Sequence, residues 1–418
     1  MLGASRFQTP GSSVRNWGPT ENLSGIGRLR LAALPPECAY QPSTHLTNFY
    51  EAQQQPLYYW LFSVPLRFIT HWHLWPRVLL IRLLSRALAS LAIPLAYLAA
   101  GEALGFWCAA LIAVAPGFAI DVCRVANDSL AIALTALLFL LMVRRAGGIA
   151  VGAVLGLALL AKAYLLVLLP AVLLRRRSVC DLAPAALIAG WWYVRNVMLG
   201  LPFTGWIQHA DTAQAIAAIV HIQWLRVMQV IGNTFIWFSA WSFLTLKAWM
   251  YALVEIIAVG AGMVAGVSAW RRRDAALNTA FACAGCFALA TLYGVRVGYS
   301  IQKIAAVPGW YAWSIVTALA VILASGLGRA TIAMVAVLAL IDIYGVVARL
   351  TPFYAGLVDR HHAAVLRFPE ALTKLHIPPV LPILWLSATL AIPVLCILFR
   401  PWYAVSPRSF AATSSRAS

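Results

Sequence analysis

Long apolar segments separated by short polar clusters fill the chain from residue 78 to residue 399. Most of them approach the length of roughly 20 residues that an α-helix needs to cross the hydrocarbon core of a bilayer. Spans are predicted at 78–100, 106–120, 128–143, 182–199, 248–270, 275–294, 310–325, 330–350 and 378–399. The pattern therefore predicts an all-α fold, a polytopic transmembrane helix bundle over residues 78–399.

The apolar segment 148–174 does not fit a single crossing. Arg144 and Arg145 precede it, and three arginines follow it at 175–177. Basic clusters favour the cytoplasmic face, so one crossing would place one of these clusters on the wrong side. Broken helices are tolerated at membrane depth where protein surrounds them. We therefore favour a re-entrant hairpin over a single crossing, which gives about ten membrane segments in all.

The remaining segments are assigned to the two faces by the same rule. Residues 1–77 are predicted on the outer face, with an aromatic interfacial helix at 56–70 that Pro65 interrupts. A long outer-face loop is predicted at 200–247 and a cytoplasmic tail at 400–418. Because nothing before residue 77 crosses the membrane, we expect that a first span is missing from the chain.

Composition strengthens the membrane assignment. Of 418 residues, 62% are hydrophobic and 11% are charged, and the mean hydropathy is +0.82. A water-soluble enzyme or a disordered chain is excluded, because average soluble usage is about 25% charged. Lys and Arg number 31 against 13 Asp and Glu. These basic residues lie mostly between apolar runs rather than in one stripe, so nucleic acid is not expected as a partner.

Small residues at four-residue spacing predict close helix contacts. Gly152 and Gly156 form one such pair, and Gly262 and Gly266 form another. Glycine at this spacing allows two helix backbones to approach closely.

Two outer-face carboxylates are candidates for catalysis. Asp128 follows Asn127 and begins an apolar helix, and Glu51 opens a polar strip that leads into the aromatic helix. Each also has an ordinary interpretation, Asp128 as an acid at a helix N-terminus and Glu51 as a loop acid. Glu255 and Asp342 lie within predicted spans, where a carboxylate is costly and often functional.

Two cations complete the candidate chemistry. Lys162 lies in the middle of the predicted hairpin, where burial without a partner would be costly. Arg195, followed by Asn196, lies at the outer end of its span. Because arginine favours bidentate contacts with phosphate, these residues could hold a lipid-linked phosphate beside a proton acceptor.

Five stretches, in order and with matching spacing, carry a family resemblance over residues 50–200. They are 50–59 (YEAQQQPLYY), 82–86 (RLLSR), 125–131 (VANDSLA), 156–162 (GLALLAK) and 190–196 (GWWYVRN). Through them the chain resembles the bacterial GT-C class of polytopic membrane glycosyltransferases. This group, similar to glycosyltransferase family 39, includes protein O-mannosyltransferases and aminoarabinose-lipid transferases.

The resemblance implies sugar transfer from a polyprenyl-phosphate donor to a lipid, glycan or protein acceptor. The reaction would occur on the periplasmic or extracellular face of a bacterial inner membrane, among membrane lipids. Asp128 and Glu51 would be the catalytic residues. The substrate-binding residues would be Lys162, Arg195, Asn196, Tyr58 and Tyr59. No metal and no cofactor are expected, because the donor is lipid-linked.

The sequence also departs from the family pattern. Gln53 stands in place of a histidine and Gln55 in place of a proline, and the acidic motif after a first span is reduced at most to Glu21. Two alternative hypotheses therefore remain open. One is an inactive relative that acts as a membrane scaffold. The other is a transporter in which Lys162 pairs with an intramembrane acid such as Glu255 or Asp342.

Overall fold

The computed structural model describes residues 54–176, 178–201, 203–204, 219–237, 244–272, 274–302 and 307–398. These ranges contain helices and connecting turns and no β-strand, so the predicted all-α fold class is confirmed for them. Glu51, with the rest of residues 1–53, lies outside the described residues. The predicted tail at 400–418 and parts of the predicted loop at 200–247 lie outside them as well.

In chain order the α-helices include α1 (Leu57–Phe68), α2 (Leu74–Ser90), α3 (Ala92–Ala113), α4 (Pro116–Asp121), α5 (Asp128–Val143), α6 (Gly148–Ala161), α7 (Leu169–Arg176), α8 (Ala183–Met198), α9 (Trp224–Ile236), α10 (Ala248–Arg272), α11 (Ala275–Gln302), α12 (Val316–Leu327), α13 (Thr331–Tyr344), α14 (Thr351–Tyr354), α15 (Phe368–Lys374) and α16 (Val380–Leu398). Short 3₁₀ helices occupy Ala163–Leu168, Val179–Leu182, Gly309–Ile315, Gly328–Ala330 and Val365–Arg367, and a π-helix occupies Gly345–Leu350.

Several helical segments are suited to a bilayer. In the described ranges, five are long and apolar enough to cross a membrane, namely Leu74–Ala113, Ala248–Arg271, Ala275–Ser300, Gly309–Tyr354 and Val380–Leu398. Shorter apolar helices lie at Asp128–Val143, Gly148–Ala161 and Ala163–Arg175. Together with the apolar composition, these segments identify an integral membrane protein.

Two of the five segments are too long for one crossing. Leu74–Ala113 has 40 residues and Gly309–Tyr354 has 46, and a straight α-helix of such length would extend about 60 Å or more, twice the bilayer core. Each contains a glycine with positive φ, 72° at Gly101 and 53° at Gly328. Glycine adopts this left-handed backbone without a steric penalty. The breaks fall where the sequence separates two consecutive predicted spans.

The segment predicted as a hairpin is also interrupted. Helix α6 ends at Ala161, and Lys162 has an extended backbone with φ −156° and ψ 126°. The chain then continues through a 3₁₀ helix into α7, whose Arg175 lies within electrostatic range of Arg145 before α6. The two ends of the segment are thus close together, as a hairpin requires. Its re-entry into the membrane stays a prediction.

The core forms around α5 and α12. Helix α5 packs against α2, α3, α6 and the 3₁₀ helix that precedes α12, and α12 packs against α3, α10 and α11. Side chains on several sides of α5 are buried, including Ile132, Leu138 and Met142. A helix that is apolar all round belongs in the interior. The acid at the N-terminus of α5, Asp128, is therefore carried into the protein.

Helix α1 has two different faces. Tyr58 and Phe62 are buried, whereas Trp60 and Phe68 are exposed. The Trp60 ring stacks on Trp191 of α8, with centroids 5.8 Å apart. Exposed aromatic side chains on one face suit the head-group region of a bilayer. Interfacial placement of this helix remains a prediction, which its two-faced surface fits.

The two predicted glycine contacts have different outcomes. A Cβ at Gly152 would stand 2.3 Å from the carbonyl oxygen of Asp181, and one at Gly156 would stand 2.9 Å from Ile188. Helices α6 and α8 therefore pack closely at this pair, as predicted. The prediction for the other pair is wrong, because Gly262 faces open space and Gly266 meets a side chain only at 3.8 Å.

A different glycine sets the closest approach of α10 to α12. A Cβ at Gly326 would stand 1.9 Å from the carbonyl oxygen of Ala261, so Gly326→Ala must push the two helices apart. We expect a cost of about 1–3 kcal/mol in the free energy of unfolding, typical of overpacking. Gly262→Ala on α10, where the space is open, is the control. Thermal unfolding in detergent measures both, and equal unfolding temperatures for the two variants would contradict the packing described.

Candidate active site

A buried ion pair joins two of the predicted site residues. Lys162 Nζ lies 3.1 Å from Asp128 Oδ1, and the side chains are 16% and 11% exposed. Asp128 is the first residue of α5, and Lys162 stands at the break after α6. The break therefore turns a lysine from an apolar segment toward a carboxylate at the end of the neighbouring helix.

Amide side chains hold this arrangement in place. Lys162 Nζ donates a hydrogen bond to Asn127 Oδ1. The Asn127 amide donates to the carbonyl oxygen of Ala161 and to Gln54 Oε1, both at 3.1 Å. Gln55 Oε1 accepts a hydrogen bond of 3.0 Å from the backbone N–H of Ala163. Gln55 and Asn127 thus satisfy two backbone groups at the helix break, the N–H of Ala163 and the carbonyl oxygen of Ala161.

A tyrosine two residues after Lys162 contacts the same oxygen of Asp128. The Tyr164 hydroxyl donates to Asp128 Oδ1 at 3.1 Å, and it is also hydrogen-bonded to Ser314 Oγ. Because a phenol has one proton, Ser314 is the donor when Tyr164 donates to Asp128. Lys162 Nζ lies 5.7 Å from the centroid of the Tyr164 ring. Lys162 and Tyr164, from one short segment, therefore orient the carboxylate, and Ser314 from a distant part of the chain acts on it through Tyr164.

A second acid and a second cation adjoin the pair. Arg124 forms an ion pair with Asp121, and its Nη2 lies 3.7 Å from Asp128 Oδ2. The guanidinium also lies over the Trp310 ring, 5.6 Å from the centroid. Two carboxylates and two cations thus form one continuous group, which we call the charged cluster: Asp121, Arg124, Asp128 and Lys162.

Asp121 is the least accessible member of the charged cluster. Its side chain is 1% exposed, and no donor among the described residues makes a hydrogen bond to its Oδ2. Burial raises the pKa of Asp121 to about 7, although the neighbouring Arg124 acts in the opposite direction. An acid with such a pKa can exchange a proton near neutral pH, which is a property of general acid–base groups.

The raised pKa of Asp121 predicts a pH-dependent stability. Between the ordinary pKa and about 7, the folded protein keeps a proton that the unfolded chain has released. This contribution to stability is complete below the ordinary pKa and is lost as the pH rises through the folded value. We expect Asp121→Asn to remove that part of the decline in unfolding temperature between about pH 4 and about pH 7. Asp359→Asn, in an exposed loop, is the control, and an unchanged slope in Asp121→Asn would contradict the assignment.

Two other predicted substrate-binding residues, Tyr58 and Tyr59, differ in their exposure and in their hydrogen-bond partners. Tyr58 is buried, and its hydroxyl makes a 2.8 Å hydrogen bond with Ser85 of α2. Tyr59 is exposed, and its hydroxyl donates to Gln54 Oε1 at 3.3 Å. Gln54 is the residue that also contacts Asn127, so Tyr59 is linked to the charged cluster through one side chain.

Arg195 and Asn196 lie at the end of α8. Arg195 is exposed and stacks over Trp192, 4.6 Å from the ring centroid. Its Nη1 donates to Asn196 Oδ1 at 3.2 Å, and Asn196 is fully buried. The structure thus joins Arg195 to Asn196 and not to Lys162. Their role in donor binding stays a prediction.

Several residues of this site were not among the candidates predicted from the sequence. Asp121, Arg124 and Asp128 stand at i, i+3 and i+7, a spacing of opposite charges that could have indicated one cluster. Tyr164 and Ser314 have no such signal, because they are far from Asp128 in sequence and reach it only through packing. No group of three or more potential metal ligands occurs among the residues that the structure describes.

Comparisons with known proteins return few matches. No family model matches the chain, and no curated protein does. Two crystal structures are similar, those of ArnT from Cupriavidus metallidurans bound to undecaprenyl phosphate and in the apo state. Both are 16% identical to this chain, with TM-scores of 0.46 and 0.45.

The coverage of these matches is unequal. They extend over 84% and 83% of this chain but over 62% and 66% of the two ArnT chains. The chain therefore spans less than two thirds of the length of the first of them.

Proposed function

We propose that this protein is a membrane glycosyltransferase. It moves a sugar from a polyprenyl-phosphate donor to a lipid, glycan or protein acceptor on the outer, periplasmic face of a bacterial inner membrane. One observation carries the proposal: three separate motif stretches meet at the charged cluster. Residues 50–59 contribute Gln54 and Gln55, residues 125–131 contribute Asp128, and residues 156–162 contribute Lys162.

The charged cluster has the two kinds of group that this reaction needs. An acceptor hydroxyl attacks the anomeric carbon, the bond from that carbon to the phosphate oxygen breaks, and the hydroxyl proton must be accepted. Asp128 is the proposed proton acceptor, because Lys162 and Tyr164 fix its position. The polyprenyl phosphate that leaves carries negative charge, which a cation stabilises in a site of restricted water access.

Lys162 and Arg124 are the proposed phosphate-binding cations. Lys162 is shared between Asp128 and Asn127, so it can exchange one acceptor for a phosphate oxygen without losing the other. Arg124 side-chain exposure is 32%, which leaves part of its guanidinium accessible. The polyprenyl tail would lie in the bilayer beside the helices. Glu51, from the same stretch as Gln54, remains a proposed second catalytic acid.

The alternative hypotheses have less support. The transporter hypothesis required Lys162 to pair with Glu255 or Asp342, whereas Lys162 pairs with Asp128. Glu255 faces Gly232 of α9, and Asp342 lies near Arg86. The scaffold hypothesis does not require two carboxylates and two cations to be placed together. The transporter hypothesis does not account for the convergence of the motif stretches. An inactive relative would retain this convergence but would not transfer sugar, which the assay below measures.

A transfer assay tests the proposal. The full chain, reconstituted in vesicles, is incubated with radiolabelled polyprenyl-phosphate sugars and a bacterial envelope extract as the source of acceptors. We expect label to move from the polyprenyl donor into the extract with release of polyprenyl phosphate. Boiled protein is the control. Absence of transfer from every donor, with the fold intact by circular dichroism, would contradict the proposal.

A further inference from the structure

A second charged group lies on α2, outside the charged cluster. Arg82 and Arg86 are one helical turn apart, and both are exposed on a helix that is otherwise largely apolar. Like charges at this spacing destabilise a helix unless something balances them.

Several elements border this arginine pair. Arg86 Nη1 donates to Cys123 Sγ at 3.2 Å. Arg86 also lies within electrostatic range of Asp342 on α13, which accepts a hydrogen bond from Trp385 of α16. Asp342 is 5% exposed. The acid is therefore buried on the protein side of the exposed arginines.

Arg82 has a different environment. It lies within electrostatic range of the Tyr354 hydroxyl on α14. Among the residues that the structure describes, no carboxylate forms an ion pair with it. The described residues therefore place one carboxylate, that of Asp342, near the arginine pair, within electrostatic range of Arg86. One positive charge remains, which a single anionic group would neutralise.

The depth of the arginine pair in the membrane can be estimated from Leu98, which lies further along the chain on α3. Arg144 Nη2 donates to the carbonyl oxygen of Leu98 at 2.8 Å, and Arg144 belongs to a predicted cytoplasmic cluster. At 1.5 Å per residue, Arg86 lies about 18 Å and Arg82 about 24 Å above Leu98. The bilayer core is about 30 Å thick. At its depth, the long side chain of Arg82 can extend to the outer head-group region, with Arg86 one helical turn below it.

We propose that Arg82 and Arg86 bind the phosphate of a membrane lipid at a site separate from Lys162. Guanidinium groups match phosphate oxygens in geometry and charge, and this exposed pair has one positive charge that no carboxylate of the described residues balances. The inference requires the membrane placement described above and does not depend on sugar transfer. Two sources of the phosphate share this chemistry, a glycerophospholipid of the bilayer and a polyprenyl phosphate.

Native mass spectrometry of the purified full chain tests this site. The protein is delipidated and then titrated in one arm with phosphatidylglycerol and in another with undecaprenyl phosphate. Arg82→Gln/Arg86→Gln is compared with wild type and with Arg67→Gln, which changes another exposed arginine at the end of α1. Lys162→Met is added to separate the two sites. If the double variant does not fold, Arg82→Gln alone is used, because Arg82 lacks an ion-pair partner in the described structure.

We expect the double variant to bind the lipid phosphate at least about tenfold more weakly in one of the arms. The arm that changes identifies the source. Arg67→Gln should bind like wild type. Lys162→Met should keep the lipid binding that the double variant loses. Binding equal to wild type in both arms for the double variant, or for Arg82→Gln where only that variant folds, would overturn the proposal. An equal loss in Arg67→Gln would also overturn it, because the effect would then be one of general surface charge.

Discussion

Asp128→Asn is expected to lower sugar transfer by at least about 100-fold, the contribution that a positioned general base makes. The substitution keeps the size of the side chain and its ability to accept a hydrogen bond from Tyr164. It removes the negative charge that faces Lys162 and the basicity that would accept the hydroxyl proton. The measurement is the initial rate of label transfer at saturating donor, with protein amount normalised by the detergent-soluble monomer peak.

Asp359→Asn is the matched control, because this acid lies in an exposed loop and pairs only with nearby loop groups such as His362. It should retain wild-type transfer. Transfer by Asp128→Asn at more than about a tenth of the wild-type rate would leave Asp128 as a structural acid at a helix N-terminus. The proton acceptor would then have to be another group, and Asp121 would be the first to test.

The second large effect concerns stability. Lys162→Met leaves Asp128 in a mostly buried position without its principal cation, and we expect this change to cost roughly 3 kcal/mol. The double variant Asp128→Asn/Lys162→Met removes both charges, so it should be more stable than Lys162→Met alone. Chemical unfolding of the wild type, both single variants and the double variant gives the interaction free energy of the pair.

An interaction free energy above about 1 kcal/mol is expected for residues in direct contact. Lys247→Met with Asp128→Asn is the control cycle, because Lys247 is exposed and lies over Tyr344 instead. Additive effects in the Lys162 cycle would contradict the ion pair. Rescue of Lys162→Met by Asp342→Asn, rather than by Asp128→Asn, would favour the pairing that the transporter hypothesis requires.

Much of the architecture could be predicted from the sequence, because hydrophobic length directly reports the thickness of the bilayer. The breaks in the long helices fall between predicted spans, at Gly101 and Gly328, which have positive φ. The contact predicted at Gly262 and Gly266 was wrong. Small residues at this spacing indicate that a close approach of two helices is possible. Whether another helix packs there depends on the tertiary structure.

The candidate site could be predicted only in part. Asp128 and Lys162 were identified separately, one by its helix N-terminus and the other by its unusual position in an apolar segment. That they form a pair depends on the extended backbone at Lys162, which no local pattern specifies. Ser314 illustrates the remaining difficulty, because it contacts Tyr164 across 150 residues of sequence. Asp121 became a candidate because the fold buries it and raises its pKa. Its sequence position among several loop acids did not indicate this.

Equilibrium binding of a polyprenyl-phosphate sugar tests most directly whether the charged cluster holds the donor phosphate. Wild type, Lys162→Met and Lys247→Met are compared in lipid nanodiscs, with folding verified by thermal unfolding. We predict that Lys162→Met weakens donor binding at least about tenfold, as expected for loss of a charge-assisted contact, and that Lys247→Met binds like wild type. Equal binding by all three proteins would contradict this account of the site.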